Sequence, residues 1–257
     1  MTTPSPSARP LAGDGARAIP IVALDFPSGD DALRMARVLV DRCRFFKVGN
    51  ELFTAAGPSI LHTLRDELGA DVFLDLKFHD IPNTVAGAVR SAARLGARLL
   101  TVHASGGRSM LEAARQAAAD AAGDACGILA VTALTSLDAA ELAEAWGRTD
   151  EVEMQHEVLR LAGLAAETAV HGIVCSGAEV AAVRARYGAR LAALVPGIRL
   201  DGGAAHDQRR VMTPAAAQTA GARYLVLGRA VTAAPDPAAA MARVLAELNA
   251  DPRPSVV

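Results

Sequence analysis

Aromatic side chains are scarce in this chain of 257 residues: one Trp, two Tyr and six Phe make up 4% of it, against 51% hydrophobic residues overall. The core must therefore be assembled from Ala, Val, Leu and Ile, which suits helices packed on a parallel sheet. Cysteine is sparse as well. Cys43, Cys126 and Cys175 are odd in number, far apart and outside any C-x-x-C pair, which argues for small buried apolar residues in a reducing, cytoplasmic setting. No apolar run is long enough to span a membrane, and the opening Met1–Pro10, rich in Pro and Ser, lacks the apolar stretch of a secretory signal. A formal net charge of −2 without a basic stripe gives no reason to expect nucleic acid as a partner.

What the chain does have is alternation. Short apolar runs begin at Ile19, Arg44, Val72, Leu99, Gly127, Gly172, Ala192 and Tyr224, and each is followed by a helical pattern, several opened by Pro (Pro58, Pro82, Pro214) or closed by Gly (Gly69, Gly96). The runs show no clean two-residue alternation over their full length, as expected of strands covered on both faces. Eight such units predict a single-domain α/β fold, a closed (β/α)8 TIM barrel over residues 19–250, with 1–18 as a disordered leader and 251–257 as a tail.

In such a barrel the reactive end is where the strands finish. The strand-end residues here are Asp25, Lys47, Asp75, Lys77, Thr135 and Gly228, which predicts one shared pocket. The stretch Val72–Val85 concentrates opposite charges in an otherwise buried strand; side chains alternate faces, so Asp75 and Lys77 share one side while Leu74, Leu76 and Phe78 share the other. A structural ion pair is the bland alternative, yet such a pair is weak grounds for stability because desolvation offsets the Coulomb gain. Gly228-Arg229 before a short helical pattern has the makings of a phosphate site, and the polar, small-residue loop from Pro196 to Arg210 reads as a lid or an ordinary surface loop. The six histidines share no ligand spacing, so no metal site is expected, and no G-x-S-x-G anchors a Ser/His/Asp triad.

Assembled, these segments closely resemble the orotidine 5′-phosphate decarboxylases. The matching stretches are Ala23–Asp25, Phe46–Gly49, the D-x-K-x-x-D core with its flanks from Asp75 to Thr84, Val131–Ser136, Pro196–Arg199, Asp207–Pro214 and Gly228-Arg229, with no departure at a motif position. The resemblance implies a single-activity enzyme that converts orotidine 5′-phosphate to UMP without metal or organic cofactor. It implies that Asp25 and Lys47 hold the ribose hydroxyls, that Thr135 faces the pyrimidine edge, and that Arg199, Gln208, Gly228 and Arg229 surround the phosphate and the closing loop. Lys47, Asp75, Lys77 and Asp80 form the alternating catalytic array in the family, Lys77 donating the proton. Asp80, Ile81 and Thr84 reach into the other subunit's site, which implies a homodimer. Two readings compete: the Mg2+-dependent 3-keto-L-gulonate 6-phosphate decarboxylase and hexulose-phosphate synthase group, which carries an acid where this chain has Lys47, and a nucleotide-binding barrel without chemistry.

Overall fold

The structure, a computed structural model, describes residues 17–200 and 212–250. The rest of the expected leader, the segment 201–211, which takes in most of the expected lid, and the tail lie outside the described residues. Eight strands run β1 (Ile19–Ala23), β2 (Phe45–Gly49), β3 (Asp71–Phe78), β4 (Leu99–His103), β5 (Gly127–Val131), β6 (Gly172–Val174), β7 (Ala192–Val195) and β8 (Tyr224–Leu227). Each pairs in parallel with the next and β8 pairs with β1, closing the barrel. The expected (β/α)8 architecture is therefore observed.

The helices between them are α1 (Gly29–Leu39), α2 (Asn50–Ala56), α3 (Ser59–His62), α4 (Pro82–Arg94), α5 (Arg108–Ala122), α6 (Ala139–Ala145), α7 (Met154–Glu167), α8 (Gly177–Tyr187), α9 (Pro214–Ala220), α10 (Arg229–Thr232) and α11 (Pro237–Ala250). Local chemistry explains many of the starts. Ser28 accepts the Asp31 N–H at the head of α1, Ser176 with Glu179 and Asp138 with Glu141 form reciprocal capping boxes, and Pro82 and Pro214 occupy first turns where no N–H is needed. The sequence reading starts the second helical unit at Pro58; the structure adds α2 before it. Gly57, at φ +65, ends α2 in a conformation that side-chain-bearing residues rarely adopt, and Pro58 then leads into α3.

Strand parity divides the core. Ile21, Phe45, Phe73, Leu99, Tyr224 and Val226 point into the barrel, while Val22, Phe46, Leu74 and Leu100 point outward against the helices. Ala-rich α5 buries Ala114, Ala117 and Ala118, whose small side chains let it lie close to the sheet with few aromatics to fill the gap. At the entry to β1, Ala18 is buried and its N–H donates to Gln218 Oε1 at 2.9 Å, so the chain is anchored just before the first strand. Among the described residues no helix is long and apolar enough to cross a membrane.

Candidate active site

The inward parity that buries Phe73 also carries Asp75 and Lys77 to the inner face at the strand's end, while Leu76 and Phe78 pack outward, as their spacing predicts. Lys77 Nζ contacts both Asp75 carboxylate oxygens at 2.9 Å. Lys47, inward on β2, donates to Asp25 Oδ1 at 2.7 Å and lies 3.8 Å from Asp75 Oδ2. Asp25, Lys47, Asp75 and Lys77 thus form a row of alternating charge across β1, β2 and β3. Lys47 and Asp75 are the shielded members, with side chains 11% and 13% exposed, so their attraction is little screened by solvent. Gly49 makes room for the row: a Cβ there would stand 2.9 Å from Lys47 Nζ and 3.2 Å from Asp25 Oδ1.

The strand does not stay regular where it delivers these groups. Its register with β4 shifts between Leu74 and Phe78, and Lys77 takes φ +50. A lysine in the left-handed region costs about 1–3 kcal/mol, which the surrounding structure must hold in place. Thr101 of β4 sits opposite the irregularity. Its hydroxyl donates to Asp75 Oδ1 at 2.9 Å and accepts the Lys77 backbone N–H at 2.9 Å. The sequence reading passed over Thr101, although a lone polar residue inside Leu99-Leu100-Thr101-Val102 was the available signal.

Around this row lies a cavity of about 360 Å³. Ala23, Phe73, Val131, Val174, Leu194 and Val226 give it an apolar floor; Asp25, Lys47, Asp75, Lys77, Thr135, Arg199, Gly228 and Arg229 line it above. Eight of the expected site residues are therefore brought together. Arg199 is buried, and beyond it the Ile198–Met212 bridge and the Arg199 N–H donating to Met212 O tie together the two sides of the segment 201–211. Gln208 falls within that segment and lies outside the described residues. Asp80, Ile81 and Thr84 do not line the cavity: they belong to an exposed run from His79 to Thr84, in which Ile81 is 66% exposed and Asp80 Oδ1 accepts the Ile81 N–H.

Two histidines flank the site without lining the cavity. His79 and His103 place their rings 5.1 Å apart, and burial, then the charges of His79 and Lys77, push the His103 imidazole below its ordinary range, towards the neutral form. The cysteines are free and buried, and burial lifts the Cys126 thiol to about 12, which leaves it inert at neutral pH. Among the described residues no group of three His, Cys, Asp or Glu side chains has the arrangement a metal ion would need.

Other proteins share this sequence pattern and this fold. A chain named orotidine 5′-phosphate decarboxylase from Halorhodospira halophila is 53% identical over 230 residues, covering 90% of this chain and 95% of its own. Another of that name, from Chromohalobacter salexigens, is 50% identical over 229 residues, 89% of this chain and 94% of its own. The crystal structure of orotidine 5′-phosphate decarboxylase from Lactobacillus acidophilus superposes with a TM-score of 0.79 at 34% identity, covering 91% of this chain and 99% of that one. The family model described as orotidine 5′-phosphate decarboxylase / HUMPS matches residues 19–244. Because that span runs from the first residue of β1 into α11 and takes in every strand lining the cavity, the chain belongs to the orotidine 5′-phosphate decarboxylase / HUMPS family.

Proposed function

We propose that this chain decarboxylates orotidine 5′-phosphate to UMP in de novo pyrimidine synthesis, using no metal or organic cofactor, with Lys77 as proton donor. The observation that carries the reading is the row Asp25–Lys47–Asp75–Lys77, which ends in an ammonium at the wall of a nucleotide-sized cavity. When the bond from C6 to its carboxylate breaks, the electron pair stays on C6 in the plane of the ring, where no neighbouring carbonyl can delocalise it. A fixed positive charge must meet it. Lys77 supplies that charge and then a proton to C6, CO2 departs, and Lys77 regains its proton from solvent. Asp75, itself paired with Lys47, holds the Lys77 ammonium before the reaction, so few dipoles need to reorganise as the carbanion forms; we assign the larger share of catalysis to this preorganisation rather than to repulsion between Asp75 and the departing carboxylate.

The remaining roles are those the family resemblance implies. Asp25 and Lys47 hold the ribose hydroxyls, and Thr135 faces the pyrimidine edge. Arg199, Gly228 and Arg229, on the β7–β8 side, take the phosphate together with Gln208, and phosphate binding far from C6 supplies energy for closing the site. Asp80, Ile81 and Thr84 serve the cavity of a second copy in a homodimer, as the family resemblance implies; their exposure outside their own cavity leaves them accessible to one. The setting is cytoplasmic, consistent with three free, buried thiols.

The Mg2+-dependent sugar-phosphate reading is disfavoured by Lys47, whose ammonium stands between the Asp25 and Asp75 carboxylates and would repel a divalent cation there. Loss of orotidine 5′-phosphate absorbance should proceed at the same rate with and without EDTA. Turnover abolished by EDTA would overturn the metal-free assignment; with no turnover in either condition, EDTA-sensitive turnover of a sugar phosphate would favour the metal-dependent group, and turnover of neither substrate a binding barrel without chemistry.

A further inference from the structure

We propose that Thr101 is a positioning residue for the decarboxylation, holding the Asp75 carboxylate and the Lys77 backbone in register through a single hydroxyl. The inference rests on the functional reading above and deepens it. Between the pairs Leu74–Leu100 and Phe78–Val102, β3 carries Asp75, Leu76 and Lys77 while β4 carries only Thr101. The extra length bulges β3, and the Lys77 N–H turns to a side chain of the neighbouring strand. Thr101 Oγ1 accepts it at 2.9 Å, and the one hydroxyl proton goes to Asp75 Oδ1, also at 2.9 Å. One lone pair and the single proton are thus committed to the two residues that carry the charge.

The arrangement constrains orientation as well as distance. Thr101 is 1% exposed, so water does not compete for its hydroxyl. Asp75 Oδ1 is shared between Thr101 and Lys77 Nζ, which holds the carboxylate turned towards the ammonium. The same hydroxyl holds the backbone of Lys77 at φ +50, from which the side chain projects into the cavity. A merely well-packed threonine would need its methyl; a positioning threonine needs its hydroxyl.

Valine keeps the shape and removes the hydroxyl. Thr101→Val should lower kcat about ten- to a hundredfold, while KM for orotidine 5′-phosphate and the affinity for UMP stay within about threefold, since the proposed ribose and phosphate contacts are untouched. Thr101→Ser, which keeps the hydroxyl and loses the methyl, should restore kcat to within about threefold of the parent. Should Thr101→Val not fold, Thr101→Cys replaces it, its thiol being a far weaker donor and acceptor in a similar volume, and the same split is expected. A kcat within twofold of the parent for these variants, a loss confined to KM, or Thr101→Ser as impaired as Thr101→Val would overturn the role. A crystal structure of the Val (or Cys) variant tests the geometry without turnover: the Asp75 carboxylate should rotate away from Lys77, and an undisturbed 2.9 Å contact would refute the inference. Inactivity of the parent chain would instead count against the functional reading and leave this structural arm decisive for Thr101.

Discussion

At the base of the barrel, where the strands begin, Phe45 and Tyr224 meet edge to face at 6.4 Å, and the Tyr224 hydroxyl pairs with His171 Nε2 at 2.9 Å. At the mouth, where the same strands end, four charged side chains stand in a row, Lys77 takes a left-handed backbone, and Gly49 yields its side-chain space to an ammonium. The base gives its inward positions to apolar contact, a neutral hydrogen bond and one ion pair, Arg98 with Asp71 at 3.4 Å. The mouth spends its own on charge and strain that packing alone would not select. On the proposed function, catalysis is drawn from the mouth while the base contributes packing, so substitutions at the two ends should fail in different ways.

The sharpest separation is expected at the mouth. Lys77→Ala should cut kcat by about 10⁴-fold or more, equivalent to about 5.5 kcal/mol of transition-state stabilisation. The variant should still fold and still bind UMP, as calorimetry would register. Turnover near the parent level would refute the assignment of Lys77.

At the base, the expected response is to acid. Burial, helped by the charges of Arg223 and Arg98, lowers His171 from an ordinary 6.5 to about 4. Above pH 6.5 the ring is neutral whether the chain is folded or not. As pH falls from 6.5 towards 4 the unfolded chain takes up a proton that the folded chain refuses, so stability is lost, by at most about 3 kcal/mol from this group. Urea unfolding at pH 7 and pH 4.5 should show that loss in the parent, and His171→Gln should reduce it. An equal pH dependence in both proteins would remove His171 as its source.

A smaller effect is expected from Arg229→Ala at the proposed phosphate side of the mouth. Losing one charge-assisted contact should lower kcat/KM by about a hundredfold. If phosphate binding drives closure, kcat should fall as KM rises. Unchanged values of both would remove Arg229 from the phosphate grip, and a change in melting temperature without a kinetic effect would place it with the stabilising residues.

Much of the fold was legible because its signals are local. Apolar runs ending in Asp25, Lys47 and Lys77, with Pro82 and Pro214 at helix starts, needed only strand parity and helix-start chemistry to be read. The helix Asn50–Ala56 was missed because no proline or capping side chain precedes it. Thr101 was missed for a different reason: its meaning lies in two residues of another strand, and those partners are set by a register shift that neither strand displays alone.

The chain's own pattern therefore determined that eight strands alternate with helices and that Asp75 and Lys77 share a face, because a two-residue period is a property of any extended segment. Only the closed barrel decided that Lys47 stands between two carboxylates, that the hydroxyl of Thr101 serves both Asp75 and Lys77, and that Ile81 is exposed outside its own cavity. Those relations depend on how neighbouring strands are staggered against one another, which is fixed by packing around the whole ring.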